Sequence, residues 1–261
     1  MRGLIRCRSC ARQTSITAGT IFEGTRKPLR VWFQAMWYVT QQKHGVSALG
    51  LQRVLGLRSY QTAWTWLHKL RRAMVRPGRD RLTGEVEVDE CFLGGRDSDI
   101  DGRESDRSLI AIAAEVRGRG TGRIRMAALP DASASSLVPF IQRTVTDGAV
   151  LRTDAWSGYG PIARHGYQHR AVSLRATRAL PHVAMPRVHR VASLLKRWWL
   201  GTHHGAIAPW YLDYYLDEFT FRFNRRASRA RGLLFYRLLE QTVAVDPVPF
   251  REIQNQAVHN M

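Results

Sequence analysis

Acids are scarce at the start of this chain. Residues 1–84 hold two, Glu23 and Asp80, against 16 Lys and Arg, so the first third carries a net +14 of the whole chain's +19. Cysteine is scarcer still: three in 261 residues, two of them in one C-x-x-C, which excludes a disulfide framework and fits a reducing compartment. No run approaches the roughly 18 apolar residues a membrane span requires, and the opening "MRGLIRCRSCARQ" lacks the apolar centre of a signal peptide. Low-complexity tails and a basic amphipathic helix are missing too, which argues against a ribosomal protein or a membrane-surface binder. The expectation is a cytoplasmic, nucleoid-associated protein with no membrane partner.

What is present is a chain with 44% apolar residues, enough for one sizeable core plus a smaller module, and an isoelectric point near 11.1. That excess of cations suits a polyanion, because Lys and Arg displace counterions condensed on phosphates; double-stranded DNA is the expected partner. The sign of the charge changes abruptly at Gly84, since nine of the 21 acids fall between Glu85 and Asp106. The stretch "RPGRDRLTG" just before the change has the Pro and Gly of a linker, and a domain boundary is placed there.

Within the basic third, residues 46–74 read as two short helices separated by "GLRS". Leu49, Val54 and Leu55 mark the first; Ala63, Trp66, Leu67 and Leu70 mark the second, with Ser59 positioned as its cap. This is the layout of a helix-turn-helix whose second helix enters the major groove. Arg58, Tyr60, Gln61, Lys69, Arg71 and Arg72 are the candidate DNA contacts, in a module spanning 18–80. The alternative is a helical hairpin with a solvated basic face. The preceding segment, with Leu29, Trp32, Phe33, Met36 and Trp37 at helical spacing, reads as a helix packed on that pair. Cys7 and Cys10 have the spacing of half a tetrahedral zinc site. No second close pair exists in the sequence, so zinc is not expected, and residues 1–17 read as the remnant of a zinc-ribbon-like segment.

Past Gly84 the periodicity becomes that of strands: "EVEVDECFL", "SLIAIAAEV" and "RIRMAALP", then a helix over 132–145, then "AVLRTD". The implied fold is α/β, a mixed sheet with helices on its faces. In the first strand, alternation sends Val86 and Val88 to one face and Glu85, Glu87 and Asp89 to the other. Three like charges on one face belong either to a wet edge or to a site that holds a cation. Asp154, at the end of a strand 65 positions later, favours the second, because adjacent central strands bring distant carboxylates together. Carboxylates holding hard divalent ions support phosphoryl transfer. Glu85 and Glu87, farther from the strand end, are expected to matter less than Asp89.

The blocks "VEVDE", "RTDAWSGY", "HRVASLLKRWWLGTHHG" and "YLDEFTFRFNRR" resemble those of DDE-type insertion-sequence transposases, in the branch related to Merlin elements. The resemblance runs from "SITAGTIFEGTRKPL" to "RGLLFYRLL" and implies a ribonuclease H-like catalytic domain over 85–232, with a C-terminal tail over 233–261. It further implies dependence on Mg2+ or Mn2+, binding of terminal inverted repeats, DNA cleavage and strand transfer, and a homo-oligomer on DNA. Motif matching places the first two metal-binding aspartates on Asp89 and Asp154. Two departures stand out. The family's N-terminal ribbon has two C-x-x-C pairs and this chain has one, so it is expected to be shortened at its start. The third ligand position falls on Leu194 when His189 is matched, and leucine holds no ion.

Glu218 is then the substitute acid by chemistry, although it also reads as the i,i+4 partner of Arg222, and Asp217 points about 100° away on the same helix. Arg222, Arg225 and Arg226 are candidate phosphate contacts, with a solvated face as the alternative. Two other functions remain open at this point. One is a catalytically inactive, truncated transposase remnant that only binds DNA; the other is a regulator whose second domain binds a small ligand.

Overall fold

Apolar periodicity and strand alternation resolve into two compact units in a computed structural model, which describes residues 4–76, 78–94, 107–172, 181–204 and 207–255. One unit takes in residues 1–78 together with 227–261, the other residues 79–226. Among the described residues no helix is long and apolar enough to cross a membrane.

The first unit opens with a hairpin, β1 (Leu4–Arg6) and β2 (Gln13–Ser15), followed by helices α1 (Leu29–Gln41), α2 (Ala48–Leu55) and α3 (Tyr60–Ala73). Trp32 of α1 stacks on Trp66 of α3 with ring centroids 3.8 Å apart, so the α1 stripe is core in part. Phe33 and Trp37 of the same stripe remain exposed and meet the ring of Phe235 edge-on. The helix pair and its turn are present where the periodicity placed them, but the capping differs. Ser47 caps α2 by accepting the Gly50 N–H at 3.1 Å, and Gly56 ends that helix in the left-handed region at φ 61°. Ser59 takes the extended backbone of a cap residue and makes no side-chain capping bond. On α2 the buried face is Ala48 and Leu51. Leu49 and Val54, expected inside, face outward.

The sequence 231–242 forms a helix, α7, within this first unit; it lies in the stretch read as the end of the catalytic domain and the start of a tail. Gln41 donates to the Arg231 carbonyl at 3.5 Å, and the Ile21 N–H donates to the Thr242 carbonyl at 3.3 Å. A last helix, α8 (Phe250–Asn255), brings the Phe250 ring edge-on to Trp64 of α3.

The second unit is built on a five-stranded sheet: β3 (Glu85–Leu93), β4 (Ser108–Arg117), β5 (Gly120–Leu129), β6 (Val150–Asp154) and β7 (Gln168–Val172). Their order is β5-β4-β3-β6-β7; the first three pair antiparallel, and β3–β6 and β6–β7 pair parallel. Three antiparallel strands continued by two parallel ones form the mixed sheet expected from the strand periodicity. Helix α4 (Ala134–Thr144) covers one face, with Leu137, Phe140 and Ile141 against Val86, Val88 and Leu151. Helices α5 (Pro186–His203) and α6 (Leu212–Asn224) cover the other, with Val191, Leu195, Leu216 and Phe219 against Ile110, Ile112 and Met126. The alternation read in β3 therefore has a physical outcome: its valines enter one core, and its acids meet the helix on the opposite face.

Candidate active site

β3 and β6 run parallel, and their register pairs Glu87 with Arg152. Two residues further along, the strands reach Asp89 and Asp154, so the sheet delivers both carboxylates to the same end of neighbouring central strands. Asp89 also lines a cavity with Glu90, Phe92, His189, Ser193 and Lys196. The last three lie at spacings of four and three on α5, which is one helical face.

Burial pushes the Asp89 carboxyl up to about 7, and the charges of Glu90, Asp154 and Glu87 push in the same direction, against a bond from the Glu90 N–H at 2.9 Å. The Nε2 of His189 stands 3.6 Å from Asp89 Oδ2. Glu90 points to the other face, where it accepts the Tyr159 hydroxyl; burial raises its carboxyl as well, with the Asp154 charge adding. Asp154 accepts the Trp156 N–H at 3.0 Å.

Glu87 is fully buried and serves a different end. Its Oε2 accepts the N–H groups of Arg187 and Val188 at 2.7 and 3.1 Å, and its Oε1 takes the Arg187 guanidinium at 3.2 Å. These are N-terminal amides of α5, which the helix itself leaves without acceptors. Arg187 also donates to the Gly118 carbonyl at 2.9 Å, and Arg152 joins Glu85 at 3.3 Å to the Ala184 carbonyl at 2.7 Å. The acidic face of β3 is thus the anchor of α5, and α5 brings His189 to Asp89.

The donor chemistry suits a hard divalent ion: carboxylate oxygens gathered in a half-buried site, with the proton affinity of Asp89 already raised by its neighbours. Among the described residues no three His, Cys, Asp or Glu side chains enclose an ion as they are placed.

Residues 81–224 match the family described as the ISXO2-like transposase domain. The chain belongs to that family. A segment of 115 residues is 30% identical to an uncharacterized protein in the transposable element ISH50 of Halobacterium salinarum, covering 44% of this chain and 37% of that protein. The chain therefore spans little more than a third of this relative. Among solved structures, a pre-cleavage Mos1 transpososome aligns with 12% identity over 87% of this chain and 82% of its own, with a TM-score of 0.21.

Within this transposase-domain chain the other expected site residues fall in different places. Glu218, 1% exposed on α6, accepts Arg222 Nε and Nη2 at 2.9 and 2.7 Å, and it does not line the Asp89 cavity. Leu194 packs against the core beneath α5 and is turned away from the face that carries His189 and Ser193. Arg58, Tyr60 and Gln61 are exposed at the turn and the first residues of α3, and Arg72 is half-exposed. Arg71 corrects the sequence reading: at 1% exposure it is one of the largest fully buried side chains, and its guanidinium is withdrawn from any duplex. Lys69 is drawn inward as well, donating to the Ile21 carbonyl at 3.4 Å, and burial lowers its ammonium. Arg225 and Arg226 lie over the rings of Phe221 and Phe223, and Arg226 bonds the Thr121 and Gly122 carbonyls, which ties α6 to β5. Cys7 and Cys10 sit exposed beside the β1–β2 turn, and the Ser9 hydroxyl holds the Cys7 thiol down to about 6.

Lys196 and Tyr159 carry no signal in the sequence that joins them to this site, and His189 enters there only as the match that puts the third ligand position on Leu194. Counting back from Lys196 by helical steps of three and four would have put Ser193 and His189 on one face, but nothing local says which strand that face meets.

Proposed function

We propose that the chain is a transposase that binds the terminal inverted repeats of an insertion sequence and catalyses metal-dependent DNA cleavage and strand transfer. The observation that carries this reading is the convergence of Asp89 and Asp154 at the ends of adjacent parallel strands, within the segment that matches the transposase family. Asp89 and Asp154 would hold Mg2+ or Mn2+, with His189, its Nε2 3.6 Å from Asp89, a further donor. Such an ion, when bound, neutralises charge on the phosphodiester and favours the ionised form of an attacking oxygen. The chain's own residues supply the rest. Lys196 lines the cavity with an ammonium that attracts the phosphate, and Glu87 fixes the helix on which Lys196 and His189 stand.

DNA is held by the first unit in this proposal. Its basic residues outnumber its acids strongly, and Arg58, Tyr60, Gln61 and Arg72 are available on the turn and on α3. Base-edge contacts from the start of α3 and phosphate contacts from its cations would fix the chain on its DNA site.

The test compares the full chain with Asp89→Asn and Asp154→Asn on plasmid DNA in Mg2+. Each variant should lose divalent-dependent nicking while duplex affinity stays within about twofold, because the ligand is removed but the basic face is kept. Undiminished nicking by Asp89→Asn would overturn the assignment.

A further inference from the structure

Trp156 follows Asp154 by two residues and is 51% exposed. A surface indole is ordinarily free to change rotamer, yet this one is fixed at two points. Its backbone N–H donates to Asp154 Oδ1 at 3.0 Å, and its Nε1–H donates to the Ala132 carbonyl at 2.7 Å. Gly158 makes the second bond possible by leaving space: a Cβ there would stand 2.4 Å from the Ala132 oxygen and 2.9 Å from Trp156 Nε1. Phe92, three residues past Asp89, lines the cavity and is 57% exposed. The carboxylate site thus has two outward aromatic rings beside it, one of them oriented by dedicated bonds. With its only polar atom already engaged by Ala132, the indole offers a flat π-face and no hydrogen bond.

A flat π-face next to a phosphodiester site matches a nucleobase, because stacking tolerates any base but requires that the base be out of its own duplex stack. We propose that Trp156 is the platform of a nucleobase subsite, and that the strand in the active site has the base beside its cleaved phosphodiester unstacked from the duplex. The inference rests on reading Asp89 and Asp154 as the cleavage site. It goes beyond that reading by naming the form of DNA the site takes: locally unpaired rather than fully paired.

The probes are two duplexes of one sequence, one fully paired and one with a two-nucleotide mismatch carrying 2-aminopurine, each with the full chain in Mg2+. The parent should bind the mismatched duplex about tenfold more tightly and quench its fluorophore. Trp156→Ala should lose both the preference and the quench while binding the paired duplex as before. Trp156→Phe should keep part of both, and Gly158→Ala, which retains the indole but crowds out its anchorage, should lose part. Preference and quench unchanged in a folded Trp156→Ala protein would overturn the subsite. Nicking, measured on the same samples, separates the two readings: a parent that never nicks but whose preference depends on Trp156 refutes the cleavage assignment and upholds the base platform.

Discussion

Glu87 holds Arg187 twice, through the backbone N–H at 2.7 Å and through the guanidinium at 3.2 Å, across one hundred positions of sequence. Replacing Glu87 by Ala leaves the amides of Arg187 and Val188 and a part-buried guanidinium facing an apolar methyl. We expect a loss of about 3 kcal/mol in unfolding free energy by urea titration. Glu87→Gln keeps one acceptor oxygen and should lose less. Nicking should fall in the same order, since the helix that carries His189 is anchored there; an Ala variant as stable as the parent would show that this contact is dispensable.

His189→Ala should lower Mn2+ affinity, read by calorimetry, and nicking by about tenfold, the cost typical of losing a group beside a metal ligand. Glu218→Gln should instead cost about 2 kcal/mol of stability, because the Arg222 guanidinium loses its buried counter-charge, and nicking per folded molecule should persist. A Glu218→Gln protein that is stable yet inactive would restore Glu218 as a ligand.

Arg72 and Arg71 are neighbours with opposite expected phenotypes. Arg72→Ala should shallow the dependence of log affinity on log salt by about 0.9, one phosphate contact. Arg71→Ala should leave that slope alone and lower the melting temperature of the first unit, as its side chain is internal. Equal slope changes for the two would reject this division.

Asp89 titrates near 7 in the folded protein against an ordinary 3.8, so between about pH 4 and 7 the folded state keeps a proton that the unfolded state has released. Its contribution to stability is fully present below about pH 4 and is lost as pH rises to 7. In chelator-treated protein, Asp89→Asn should therefore lack this fall, gaining on the order of 4 kcal/mol on the parent between pH 4 and pH 8. An unchanged difference between the two proteins across that range would contradict the burial and crowding around Asp89.

Much of this arrangement could be read locally. The strand from Glu85 to Leu93 has the limits its alternation gives, and its valines and acids do part to opposite faces. The pairing of Asp89 with Asp154 follows from two strand ends in one sheet. Other features rest on contacts distant in sequence. Glu87 looks like a solvated acid until a helix end from residue 187 arrives, and Arg71 has the spacing of a surface cation on a helix whose packing partners are named only by the fold. Glu90 has the parity of Val86 and Val88, so the pleat turns it to their face, but only the fold names Tyr159 as what it meets there.

The first unit is interrupted in sequence by the whole of the second, and α7 closes its far end by taking the Ile21 N–H at Thr242. During synthesis the second unit therefore has all of its strands and helices in hand before the first has its last ones. A growing chain paused near residue 226 would present a finished sheet with its carboxylates in place while the partners of Phe33 and Trp37 were still to be translated. In the order of translation, the acidic centre is complete before the basic unit is.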